Sequence, residues 1–404
     1  MPLDTGDTSF MLVATALVMI MTPGLAFFYG GLVSRKNVLA IMMQSYVSMG
    51  VSTILWVAVG YSLCFSGDVG GMGIIGNLDM AFLRGIEPTD LFGGVDGTIP
   101  LLLFVAYQMM FAIITPALIT GAFANRITFK AYLIFLVAWQ ILVYYPFVHM
   151  IWGGGMLADW GVLDFAGGIV VHALAGMAAL ASVIYVGKRR VEDAGAHNVP
   201  FVAIGAALLW FGWFGFNAGS ELAVDEVTAV AFINTQIAAA FAAITWLLLA
   251  WLYDGKPSFV EMLIGMIAGL ATITPAAGFV SPQSAMLIGV AAGAVCYFAV
   301  VFRKKKGLDD ALDVWGVHGV GGALGIIMLG VLASESIGGQ NGLYHGNQDF
   351  FMVQLAGLAL ACVWAFAFTY GMLMMIDMIT PVRVTDEAEA ALDVTLHGES
   401  AYID

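Results

Sequence analysis

Residues 99–123 read IPLLLFVAYQMMFAIITPALITGAF, twenty-five positions without one charged side chain. An α-helix rises about 1.5 Å per residue, so a run of this length crosses the roughly 30 Å hydrocarbon core of a bilayer. Ten further apolar runs accompany it, at approximately 9–32, 39–65, 129–150, 167–187, 200–217, 227–252, 259–275, 284–302, 314–333 and 350–376, bounded by Gly, Pro or charge. With 61% hydrophobic and 10% charged residues among 404, the pattern predicts an all-α integral membrane protein of eleven transmembrane helices. Residues 1–376 then make one transmembrane domain and 377–404 a short acidic tail, with no sizeable soluble domain.

Basic residues fix the expected orientation, because eleven spans put successive connections on alternate sides. Arg35, Lys36, Arg126, Lys130, Lys188, Arg189, Arg190, Lys256, Arg303, Lys304, Lys305, Lys306 and Arg383 fall on one face, and of the 14 basic residues only Arg84 falls opposite. Positive charge resists translocation, so that face is expected to be cytoplasmic, with the N-terminus outside, the tail inside and the chain in the cell membrane. The 28 acids divide evenly between the faces. No cationic n-region precedes the first span, since the first basic residue is Arg35, and that span is expected to be retained. A net charge of −14 argues against a nucleic-acid surface. The 3 cysteines lie inside apolar runs without ligand-type spacing, which excludes a disulfide framework or zinc site.

An internal repeat is visible. Ile114-Thr115-Pro116-Ala117 in span three recurs as Ile273-Thr274-Pro275-Ala276 in span eight, and His172 and His318 each stand four residues before a glycine, in spans five and ten. Five spans is an odd number, so the halves, about 9–187 and 200–333, must lie inverted, with 350–376 as an extra helix. No lysine lies in a span, which excludes a retinal-type Schiff base, and no helix carries the two histidines of a bis-histidine haem. No cofactor is expected. The ionisable groups left at mid-depth are His172 and His318, beside glycines that permit close helix approach. The bland alternative is two separate histidines, each bonded to a backbone carbonyl. Asp164 and Asp313 open spans five and ten, where a carboxylate caps a helix and favours its dipole. Capping suffices for Asp313, whereas Asp164 is also placed to hold the outer vestibule.

Aromatics are a further signal. Trp152 closes span four, Phe111 lies within span three, and Phe216 precedes Asn217-Ala218-Gly219-Ser220. Interfacial belts account for most such rings, yet aromatic faces with the Ser220 hydroxyl and nearby Glu221 and Asp225 also suit a small cation.

The run Asp164-Phe165-Ala166-Gly167-Gly168-Ile169-Val170-Val171-His172, followed by Gly187-Lys188-Arg189, resembles the signature of the ammonium transporter (Amt/Mep/Rh) family. Agreement extends to His149-Met150-Ile151-Trp152-Gly153-Gly154-Gly155, Trp213 to Ser220, Gly316-Val317-His318-Gly319-Val320 and the tail His397 to Tyr402, covering essentially the whole chain in order. The resemblance implies a homotrimer with one pore per subunit, carrying ammonium (methylammonium as analogue) amid membrane lipid, and not an enzyme. Matched residue by residue, it implies a recruitment site at Trp152, Phe111 and Ser220, a gate of Phe111 and Phe216, paired pore imidazoles at His172 and His318, and a vestibule acid at Asp164. Tyr107 departs from the phenylalanine of many relatives, and its hydroxyl is expected to make the vestibule more polar. The family also implies a PII-type cytoplasmic regulator acting at the tail. Two rival readings are an ammonium sensor signalling through the tail, which a fused signalling domain would favour, and a metal enzyme built on the histidines, which the want of a third ligand at matching depth disfavours.

Overall fold

The computed structural model describes residues 3–191 and 195–402. Among them there is no β-strand, only three isolated bridges. The membrane helices are α1 (Thr5–Leu32), α2 (Val38–Phe65), α3 (Leu101–Ile119), α4 (Phe129–Asp159), α5 (Gly168–Val186), α6 (Val199–Ala218), α7 (Glu226–Asp254), α8 (Phe259–Ile273), α9 (Pro282–Lys306), α10 (Trp315–Leu332) and α11 (Gln348–Ile379). All eleven apolar runs are therefore helices. The eighth is shorter than the sequence suggested: it ends at Ile273, and residues 274–279 follow as a turn before Pro282 opens α9. Others are longer: α4 runs to Asp159, α9 spans Pro282–Lys306, and α11 runs to Ile379, so the tail leaves the bundle at Thr380 rather than at 377.

Helix ends follow local chemistry. Asp4, Thr128, Asn198, Asp225, Ser258, Ser281 and Asn347 each accept a backbone N–H at the start of a helix, which satisfies one of the donors the first turn leaves unpaired. At the other end α9 finishes with Arg303, Lys304, Lys305 and Lys306 before a left-handed Gly307, so four cations meet the negative end of its dipole.

Packing carries the mark of an inverted repeat. The closest partner of α1 is α6, while α5 packs on α10. Advancing each helix by five exchanges α1 with α6 and α5 with α10, as a two-fold axis between them requires. The same step turns the α2/α3 contact into α7/α8 and α2/α4 into α7/α9, and both pairs are in contact. Small residues allow the central approach: a Cβ on Gly205 of α6 would lie 2.2 Å from the Phe28 nitrogen of α1.

On the basic face the tail folds back over the bundle as two short helices, α12 (Asp386–Glu389) and α13 (Leu392–His397). The start of α2 lacks a local side-chain cap. The tail supplies one: Asp393 Oδ1 accepts the Ala40 N–H at 2.8 Å, while Asn37 accepts from Leu392 N at 2.9 Å and donates to the Glu389 carbonyl at 3.2 Å. Arg383 donates to the Val186 and Lys188 carbonyls and to Glu389, so the tail is also tied to the end of α5.

Candidate functional site

Two helices build the centre of the site. Both α5 and α10 open with a widened π-type turn, Gly168–Ala173 and Trp315–Gly319, and each turn carries one of the histidines. Such turns recur at functional positions because they redirect a side chain off the regular helical path. Gly176, four residues after His172, seats the backbone of His318 and Gly319; Gly322, four after His318, seats His172, whose Cβ would lie 2.8 Å from a Cβ placed there. The contact is reciprocal, and it brings the two imidazoles together. Their Nδ1 atoms are 3.2 Å apart and their centroids 5.2 Å apart, with both rings buried. One Nδ1 therefore donates and the other accepts. The donor ring keeps a bare Nε2 and the acceptor ring an Nε2–H, so the pair offers one acceptor and one donor to a small molecule. His172 Nε2 has no partner in the protein.

From the histidines a column of rings climbs to the less basic face. His172 stacks on Trp213 and Phe216 at 5.5 and 6.0 Å, Phe216 meets Phe111 at 4.4 Å, and Phe111 stands edge to face with Trp152 at 5.9 Å. Past the rings lies a vestibule of about 560 Å³ whose wall includes Trp152, Asp164, Ser220 and Glu221. The cavity at the histidines is far smaller, about 10 Å³, room for one water-sized molecule, and its lining is apolar except for the imidazoles, Tyr29 and Trp213.

The vestibule residues are held by hydrogen bonds. Ser220 Oγ donates to the Phe216 carbonyl at 2.9 Å, which leaves a lone pair for a cation. Tyr107 does not add polarity to the vestibule as expected: its ring is fully buried and its hydroxyl lies 2.9 and 3.0 Å from the Gly215 and Phe216 carbonyls and 3.2 Å from Ser220 Oγ, tying α3 to the end of α6. Asp164 accepts the N–H groups of Gly167, Gly168, Ile169 and Val170 at 2.5 to 3.1 Å. Burial pushes this carboxyl above its ordinary range while those four bonds pull it down. Its carbonyl accepts the Trp152 indole N–H at 2.9 Å, so the acid that starts α5 also positions the ring at the vestibule. Asp225 is spent on a capping box with Thr228, whereas Glu221 faces the vestibule. Among the described residues no three His, Cys, Asp or Glu side chains gather as metal ligands.

Asp313 needs correction. It does not cap α10; it pairs with Arg303, whose Nε donates to it at 2.7 Å, and it adopts a left-handed backbone at φ 59°. The cap is Asp310, whose Oδ2 accepts the Trp315 N–H at 2.7 Å. The histidines are 146 positions apart, and the same step from Asp164 lands on Asp310. That spacing alone points to Asp310, whereas nothing in the sequence sets apart Trp213, which stacks on His172.

A family model described as the Ammonium Transporter Family matches residues 9–402. An ammonium transporter of Bacillus subtilis (strain 168) is 46% identical, with 100% of each chain covered. The crystal structure of Saccharomyces cerevisiae Mep2 superposes with a TM-score of 0.91 at 32% identity, covering 100% of this chain and 94% of the other. A structure described as a sensor Amt protein superposes with a TM-score of 0.88 at 28% identity, covering 97% and 98%.

Proposed function

Because the chain belongs to the Ammonium Transporter Family, a family of multi-pass membrane transporters rather than enzymes, we propose that it draws ammonium from outside at Trp152, Phe111 and Ser220, removes its proton, and passes ammonia between Phe111 and Phe216 and along His172 and His318. The observation that carries this reading is the 3.2 Å contact between the two imidazoles beneath a closed stack of rings. Moving an ammonium-sized ion into a low-dielectric interior costs on the order of 20 kcal/mol in the ideal limit. A cation over an aromatic face regains only about 0.5–2 kcal/mol per ring. Neutralising an amine of pKa about 10.4 at pH 7 costs roughly 4.6 kcal/mol. Deprotonation is the cheaper course, and the dry segment passes the neutral molecule. The rings select the cation and exclude water. The imidazoles then replace the hydrogen bonds that ammonia loses on leaving water, and they offer a path for the proton.

In this reading the thirteen-residue basic face is cytoplasmic, the subunits form a homotrimer in the cell membrane, and the tail is where a PII-type regulator acts. A second reading, sensing, draws on the likeness to the sensor Amt structure and on the tail's hold on α2 and α5. Uptake of radiolabelled methylammonium into proteoliposomes tests transport: saturable uptake that ammonium competes away is expected, and none beyond protein-free vesicles would overturn it. Charge movement in the same vesicles reports whether the proton follows.

A further inference from the structure

The inverted halves of the chain are not equal at their acids. Asp164 and Asp310 stand at the same step before their histidines, each at the head of the helix that carries one. All the capping at α5 falls on Asp164, whose two oxygens share four N–H donors. Asp310 is 2% exposed, its Oδ2 is spent on Trp315, and its Oδ1 is buried with no partner. An unsatisfied buried carboxylate oxygen is costly, and a proton on it relieves that cost.

Asp310 also lies on the basic face, in the loop that joins the cationic end of α9 to α10. The loop that bears it bonds to the end of α3 through Leu312 N to the Gly121 carbonyl at 3.1 Å. A Cβ on Gly121 would touch both the Tyr29 hydroxyl at 3.0 Å and Val314 at 2.8 Å. Tyr29 in turn lines the cavity that holds the two imidazoles. Tyr29 therefore borders both the histidine cavity and the segment next to Asp310. The charged groups around Asp310 are Asp313 from its own loop, Arg303 from α9 and Arg126 from the loop after α3, besides the Tyr29 hydroxyl of α1. Arg303 is engaged by Asp313, and Arg126 donates to the Ala122 and Gly187 carbonyls.

We propose that Asp310 is the proton donor that turns ammonia back into ammonium at the basic-face end of the pore, the reverse of the step at the vestibule. Ammonia leaving the histidines takes the carboxylic proton with its nitrogen lone pair: an N–H bond forms as the O–H bond breaks, leaving ammonium beside a carboxylate. Ammonium departs into the water on that side, and hydronium there restores the acid. Burial, and then the charge of Asp313, push the carboxyl up to about 6, so the acid form is present near neutral pH. The inference rests on the reading that the pore passes neutral ammonia.

The test uses the full chain in proteoliposomes with the basic face turned to the lumen, and follows ammonium-driven uptake while lumenal pH is set from about 5 to about 8. For the native chain the uptake rate should fall several-fold as lumenal pH rises through the titration of Asp310. Asp310→Asn keeps an oxygen for the Trp315 N–H, and should be slow and indifferent to lumenal pH, with Asp310→Glu restoring the dependence. A native pH profile in D310N would overturn the proposal, whereas absence of uptake by the native chain would instead overturn the transport reading. Should D310N fail to fold, infrared difference spectra decide: a carboxylic C=O band that bleaches when ammonium is added and shifts in frequency in Asp310→Glu supports the assignment, and no band, or one that this substitution leaves unmoved, defeats it.

Discussion

Gly176 of α5 lies so close to Gly319 of α10 that a Cβ on it would fall 2.0 Å from the Gly319 Cα. No rotamer relieves such a contact, since both partners are backbone, and the helices must part to admit a methyl group. The two histidines are joined across this same crossing, so the spacing of α5 and α10 is also the spacing of the imidazoles.

Gly176→Ala should therefore harm both stability and transport. Overpacking of this kind typically costs about 1–3 kcal/mol. Gly371 of α11 is the control, because nothing lies within 4 Å of a Cβ placed there. Thermal unfolding in detergent and methylammonium uptake are the measurements. Equal behaviour of G176A and G371A would refute the tight crossing.

The tail acts on the bundle through identified bonds. Removing residues after Pro381 leaves the Ala40 N–H without Asp393 and the Val186 and Lys188 carbonyls without Arg383. Loss of a helix cap usually costs about 0.5–2 kcal/mol. The truncated protein should unfold at a lower temperature, with amide hydrogen exchange rising at the start of α2, and should transport less. Native exchange at Ala40 together with native uptake would remove the tail from the mechanism.

The spans were legible because bilayer thickness imposes a length that residues 99–123 and their ten companions satisfy. The histidine pair was legible for a related reason: buried ionisable groups are so few in these helices that His172 and His318 stand out, and the glycines four residues on announce where the helices cross. Asp313 stands nearer the first turn of α10 and reads as its cap, but its left-handed backbone and its pairing with Arg303 leave the Trp315 N–H to Asp310. Tyr107 was misplaced because sequence gives depth along a helix but not the azimuth that aims its hydroxyl at α6. The cap of Ala40 by Asp393 joins residues 353 apart, and no local pattern encodes that.

At the vestibule, Trp152→Leu removes the aromatic face but leaves an apolar side chain. The cation–π term is about 0.5–2 kcal/mol, so apparent ammonium affinity should weaken by about 2- to 30-fold, with discrimination against larger alkylammonium ions reduced. Competition between ammonium and labelled methylammonium measures both. Unchanged concentration dependence would return Trp152 to the interfacial belt.

Asp310 also predicts how stability varies with pH. Its carboxyl is raised in the folded protein to about 6. A raised carboxyl holds its proton more tightly folded than unfolded, so its contribution is full below the ordinary value near 4 and is lost as pH rises through about 6. Carrying the charge at pH 7 then costs on the order of 3 kcal/mol. Asp310→Asn should show a flatter thermal midpoint between pH about 5 and about 8 than the native chain, and the higher midpoint at the upper end. A steeper profile in D310N, or one parallel to the native, would show that the buried acid carries no such cost.

The histidines are expected to act as one unit. With Nδ1 atoms 3.2 Å apart, the two neutral rings share a single Nδ1 proton, and a further proton on the accepting Nδ1 would break that bond and set an imidazolium in a dry cavity of about 10 Å³. Replacing either with alanine removes one partner of that bond and opens space for water. Replacing both removes the donor and the acceptor that ammonia meets together with any relay between them. His172→Ala with His318→Ala should therefore abolish proton-linked current, measured as transient charge movement on an ammonium jump. His172→Asp or His318→Asp places a carboxylate where a neutral ring stood, so the pore should admit potassium or other cations alongside ammonium. Single and double replacements should also be non-additive, because each single change already breaks the shared bond. A double alanine protein with native current, or aspartate variants with native selectivity, would show that the proton travels elsewhere and that the pair only shapes the pore.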